Sequence, residues 1–77
     1  MWTISKLAAH PDWTLEVTFE DGYSRVFNMK PFLDYEAFTE LKDVSMFLAV
    51  RNAGYFVEWP NGADLSADTL RLEGQPA

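Results

Sequence analysis

The chain has 77 residues, a formal charge of −6 from twelve acids against six bases, and no cysteine. A chain of this length makes one domain that buries only about 60–65% of its unfolded surface, and without cysteine neither a disulfide framework nor a thiolate zinc site is available. The bases Lys6, Arg25, Lys30, Lys42, Arg51 and Arg71 are scattered rather than clustered along the chain, so the counterion-releasing surface that direct nucleic-acid binding needs is not expected.

The N-terminal Met1-Trp2-Thr3-Ile4-Ser5-Lys6 has one base and no long apolar run, so no signal peptide or membrane span is expected, and the cytoplasm is the expected location. Residues 2–8 read as a first strand, closed at His10-Pro11-Asp12 because proline restricts its predecessor and suits a turn. In Trp13-Thr14-Leu15-Glu16-Val17-Thr18-Phe19-Glu20, apolar residues hold every odd position and polar ones every even position, the period of a half-buried strand.

Asp21-Gly22 then marks a hairpin for which two registers compete. A two-residue loop sets Phe19 opposite Ser24 and Leu15 opposite Asn28, which splits the apolar face. A three-residue loop, Glu20-Asp21-Gly22 with Gly22 left-handed, sets Phe19 opposite Tyr23, Val17 opposite Arg25 and Leu15 opposite Phe27. The hydrophobic pattern selects the second register, with the apolar stem of Arg25 covering the sheet while its head reaches water.

Pro31 ends the third strand because it cannot donate a ladder hydrogen bond. Asp34 is the expected N-cap of a short helix in which Tyr35, Phe38 and Leu41 recur every three residues; Asp43 caps a second, with Val44, Phe47 and Leu48 behind it. The sequence leaves open whether the two fuse. A short strand near residues 49–50, a turn at Arg51-Asn52-Ala53-Gly54 and a strand over residues 55–59 follow. Pro60-Asn61-Gly62 stops that strand, since Pro lacks an N–H and Asn-Gly takes positive φ readily.

Ala63-Asp64-Leu65 resumes an extended path, Ser66 caps a last helical turn docked by Leu70 and Leu72, and residues 74–77 are expected to fray. The expected fold is α+β, a single domain over residues 1–77. A small antiparallel sheet, an N-terminal three-stranded meander plus a C-terminal hairpin, packs against one or two short helices.

Chemistry is harder to find. His10 is the only histidine, and its place before Pro11 reads as a solvated turn rather than a base in a Ser-His-acid site. Glu58, Asp64 and Asp68 with Asn61 supply oxygen ligands of the kind calcium and magnesium take, but their spacing is not that of the twelve-residue calcium loop, and turn and cap roles account for them. Glu16 and Glu58 alternate with apolar neighbours and read as solvated. The glycines at 22, 54, 62 and 74 are isolated, so no phosphate-cradling loop exists. Trp59 shares a face with Tyr55 and Val57 and reads as core, whereas Phe56 points the other way, where with Tyr35 or Trp2 it would form an exposed aromatic patch. No catalytic, cofactor-binding or metal residue is assigned, and partner-binding residues are unknown.

Phe19-Glu20-Asp21-Gly22, the pre-helical Pro31, the stretch from Leu41 to Phe47 and above all Trp59-Pro60-Asn61-Gly62-Ala63-Asp64-Leu65 with Leu70 resemble the bacterial domain-of-unknown-function 2442 family over nearly the whole chain. The resemblance implies a compact α+β domain, found alone or fused to a helix-turn-helix domain, and an antitoxin-like pairing of some members with another small protein. It carries no catalytic residues, and a helix-turn-helix after Leu72 is not expected.

Two functional expectations result. One is a non-catalytic module that binds a protein partner, or itself through the edge of the first or last strand. The alternative is a small-molecule or divalent-cation-binding domain using the acids between Glu58 and Asp68.

Overall fold

One three-residue turn, used three times, sets the strand boundaries. The computed structural model describes residues 1–77. In it the N–H of Gly22 donates to Phe19 O at 2.9 Å and that of Phe19 to Tyr23 O at 2.8 Å; the same pair of bonds joins His10, Trp13 and Thr14, and again Trp59, Gly62 and Ala63. Each turn carries an Asx at its middle position, whose side chain accepts the N–H two residues on: Asp12 from Thr14, Asp21 from Tyr23, Asn61 from Ala63. The third position must be left-handed, which Gly22 (φ 93°) and Gly62 (φ 88°) adopt without cost and Trp13 (φ 62°) does not.

These turns join β1 (Ile4–Ala9) to β2 (Thr14–Phe19), β2 to β3 (Ser24–Asn28), and β5 (Phe56–Glu58) to β6 (Asp64–Ser66). Leu15 faces Phe27 and Val17 faces Arg25, the register that the hydrophobic pattern selects. Two sheets result rather than one. The first has the order β1-β2-β3-β7, with β7 at Gln75–Pro76; the second has β4-β5-β6, with β4 at Arg51–Asn52.

Between the sheets run 3₁₀ turns at Lys30–Phe32 and Glu36–Lys42, then helix α1 (Val44–Leu48); helix α2 (Ala67–Glu73) follows β6. The recurrence of Tyr35, Phe38 and Leu41 every three residues is the 3₁₀ period itself. Asp43, extended at ψ 112°, separates Glu36–Lys42 from α1 and caps α1 by accepting the Ser45 N–H, so the two do not fuse. Ser66 caps α2 by accepting the Thr69 N–H at 3.0 Å.

All twelve buried residues form one apolar cluster drawn from both sheets and the helices. Two tryptophans pin the helical segment to it. The Trp13 indole donates to Leu41 O at 2.7 Å and the Trp59 indole to Phe47 O at 2.9 Å, so each ring is packed with its one polar atom satisfied.

Several sequence expectations require correction. β1 begins at Ile4 rather than at residue 2. Asp34 is not a cap: Tyr35 occupies the N-cap position with no side-chain bond, and Asp34 instead pairs with Lys42 at 3.2 Å on the surface. The strand placed near residues 49–50 lies at Arg51–Asn52, because the N–H groups of Ala49 and Val50 still bond back to Met46 O and Phe47 O.

Tyr55 is 56% exposed, since its N–H bonds to Ala53 O and holds it in the turn ahead of the pleat that buries Val57 and Trp59. Leu72 is 73% exposed, because two residues along a helix from buried Leu70 is the opposite face. Residues 74–77 do not fray as a whole: Gln75 and Pro76 pair with Val26 and Arg25.

Candidate interaction surface

The structure scatters the residues that carry most of the sequence's chemical interest. His10 Nε2 lies 2.9 Å from Glu16 Oε1 at the surface, with no hydroxyl nucleophile in the arrangement. Glu58 pairs with Arg51 in the second sheet, so Glu16 and Glu58 are not brought together. Glu58 and Asp64 do face each other across β5 and β6. Asp68 lies instead in the first turn of α2, and no three His, Cys, Asp or Glu side chains converge anywhere into a set able to hold a metal ion. Asn61 serves its own turn, and Trp59 is 1% exposed, which makes it core.

The expected aromatic patch is also absent in that form. Tyr35 packs edge-on to Phe32, with centroids 5.7 Å apart, and Trp2 lies beneath the Arg71 guanidinium at 4.6 Å, so neither ring joins Phe56.

Arg71 is the side chain that periodicity least anticipates. It reaches from α2 over Trp2, Phe19 and Tyr23 at 4.6–5.0 Å and bonds Asp21 at 2.9 Å. Its side chain is only 12% exposed, so this cation is largely taken from water and held by ring faces and one carboxylate. The result ties α2 to the β2–β3 turn.

Three carboxyls sit below the ordinary aspartate range, and each is part of a local turn or cap. A hydrogen bond from the Thr14 hydroxyl lowers Asp12, and one from the Ser45 hydroxyl lowers Asp43. At Asp21 desolvation acts in the raising direction, but the Tyr23 N–H and the Arg71 guanidinium together outweigh it. These are structural carboxylates rather than poised acids or bases.

What the fold leaves open is a strand edge. His10 N–H donates to Thr14 O, which makes His10 and Thr14 a hydrogen-bonded pair. Alternation along an antiparallel ladder then turns the main-chain groups of Ala8 and Lys6 toward β2, and those of Leu7 and Ala9 away from it. The start of β1 is closed, since Ile4 N–H donates to Gly54 O at 2.8 Å and Ile4 O accepts from Asn52 Nδ2 at 2.9 Å.

From Leu7 to Ala9 no hydrogen bond closes the outer side of this edge. Their side chains are half-buried members of the core face, opposite Val17 and Leu15. The other sheet margins are shorter: β4 and β7 have two residues each, one of them Pro76 without an N–H, and β6 runs directly into α2. Along β1 and β2, Lys6, Leu7, Ala8, Glu16 and Thr18 line a shallow hollow of about 490 Å³. The sequence signal for this edge is faint, because Leu7-Ala8-Ala9 is too small and too uniform to show which face is buried.

No helix is long and apolar enough to cross a membrane. A family model described as "Protein of unknown function (DUF2442)" matches residues 4–76. No curated protein and no solved structure matches the chain.

Proposed function

The chain belongs to the DUF2442 family, whose function is unknown, and on that premise we propose that it is a non-catalytic protein–protein interaction module. The observation that carries this reading is the open edge at Leu7 and Ala9: unpaired main-chain donors and acceptors beside half-buried apolar side chains form a template for an added strand. The exposed Tyr23, Tyr55 and Leu72 add apolar area to an otherwise acidic surface, and aromatic side chains are enriched where proteins meet. An antitoxin-like role, in which the partner is a second small protein from an adjacent gene, fits the same edge.

Native mass spectrometry of the tagged chain, purified from its host together with its adjacent gene product, tests the reading. A complex of fixed stoichiometry is expected. A chain recovered without a partner that also stays monomeric in solution up to about 1 mM would refute it.

A further inference from the structure

We propose that the occupant of the β1 edge is a second copy of this chain, docked antiparallel about a two-fold axis through Ala8 and joining two four-stranded sheets into one. The inference rests on the interaction-module reading and adds the identity of the partner.

The edge is self-complementary in three respects. First, Leu7 and Ala9 lie symmetrically about Ala8, and both turn their main-chain groups outward. In a two-fold pairing Leu7 meets Ala9 of the second copy as a hydrogen-bonded pair, and Ala9 meets Leu7, giving four main-chain bonds with no donor or acceptor left over. Second, the residue on the axis is small. Ala8 faces Ala8 of the second copy as the close, non-hydrogen-bonded pair, where two methyl groups let the strands approach with no side chain to order.

Third, the charges alternate. On the outer face Lys6 comes opposite His10 of the second copy, whose ring holds Glu16 at 2.9 Å within each chain. Each Lys6 ammonium is therefore brought toward a Glu16 carboxylate across the seam, twice by symmetry. This local match offsets the repulsion expected between two chains of charge −6. On the core face, Leu7 and Ala9 of the two copies extend one apolar row across the seam.

Pairing over so few residues lies at the small end of interface size, so a reversible dimer is expected, with a dissociation constant on the order of 100 μM. Ala9→Pro supplies the main test. It removes a donor that has no partner within the chain and adds bulk at the seam, and a Pro on an exposed edge is otherwise tolerated.

Sedimentation equilibrium from about 1 μM to about 1 mM should show monomer converting to dimer, with Ala9→Pro weakening association by at least about 10-fold. Hydrogen exchange on the unsubstituted chain gives an independent readout: the Leu7 and Ala9 amides should gain protection as concentration rises, while Lys6 and Ala8 stay protected throughout. A chain that remains monomeric up to about 1 mM, with Leu7 and Ala9 exchanging freely at every concentration, overturns the dimer. If such a chain still forms a stoichiometric complex with a different protein, only the self-pairing fails and the module reading stands.

Discussion

Arg71 and Asp21, fifty positions apart in the chain, form an ion pair whose cation is roofed by three aromatic rings. Lysine in place of arginine keeps the charge but loses the planar fork and its stacking on the rings. Arg71→Lys should therefore destabilise the fold by about 1–2 kcal/mol, read as a lower urea midpoint at neutral pH. An unchanged midpoint would mean that the rings and Asp21 hold an arginine no better than a lysine.

Trp13 occupies the left-handed position that glycine fills in the two equivalent turns. Two effects oppose each other there: the ring packs and donates to Leu41 O, while the backbone pays steric strain of about 1 kcal/mol. Trp13→Ala removes the ring and keeps the strain; Trp13→Gly removes both. Both variants should lose about 2–4 kcal/mol from the lost packing, but the glycine variant should be the more stable of the two by about 1 kcal/mol, the reverse of the usual order within a strand. Urea unfolding of the pair checks the sign.

Asp12, Asp21 and Asp43 hold their protons more weakly in the folded chain than at the ordinary value of 3.8. The unfolded chain therefore binds more protons as the solution becomes acid, and stability that is intact above that value falls as pH drops through the lower folded-state range. Asn61 shows that an amide builds the same turn. Asp12→Asn should leave stability at neutral pH nearly unchanged and flatten its decline below about pH 4, measured as urea midpoints across a pH series. An unaltered acid slope would count against the turn carboxylate as its source.

Gly74 keeps an ordinary φ, so its requirement is space. A Cβ there would lie 2.5 Å from Leu70 O and 3.0 Å from the Arg25 Cβ. Gly74→Ala should push Gln75–Pro76 away from β3 and cost roughly 1–3 kcal/mol. Thermal denaturation tests this, and an unshifted melting temperature would show that the C-terminal pairing contributes little.

The parts of the fold that the sequence displays are those governed by local chemistry. Alternation in residues 13–20 fixes the β2–β3 register, Asx-Gly fixes two of the three turns, and Asp43 and Ser66 announce their caps because each bonds within its own turn. What it conceals depends on contacts between distant segments. The pairing of β7 with β3 and the placement of Arg71 over Trp2 need α2 to be docked first, and nothing in Gly74-Gln75-Pro76-Ala77 reads as a strand.

The turn after β1 is announced by His10-Pro11-Asp12, but its three-residue form is not, because Trp13 is not a residue whose type suggests a left-handed backbone. The candidate surface is the least legible part, because an open edge is a property of topology. The main-chain groups of Leu7 and Ala9 are left unpaired because β2 takes one side of β1 and the hydrogen bonds from Asn52 and Gly54 on the other side reach only Ile4.

That closure at Ile4 also bears on the order in which the molecule assembles. The turn bonds join residues three or four positions apart, whereas Asn52 must find Ile4 across 48. Closing the longer loop costs about 2 kcal/mol more in chain entropy, so the hairpins should form early and the seam between the two sheets should form last. By the same logic the seam is where the native molecule should open first. A transient break between Ile4 and residues 52–54 would lengthen the free margin of β1, exposing more strand to whatever pairs with it.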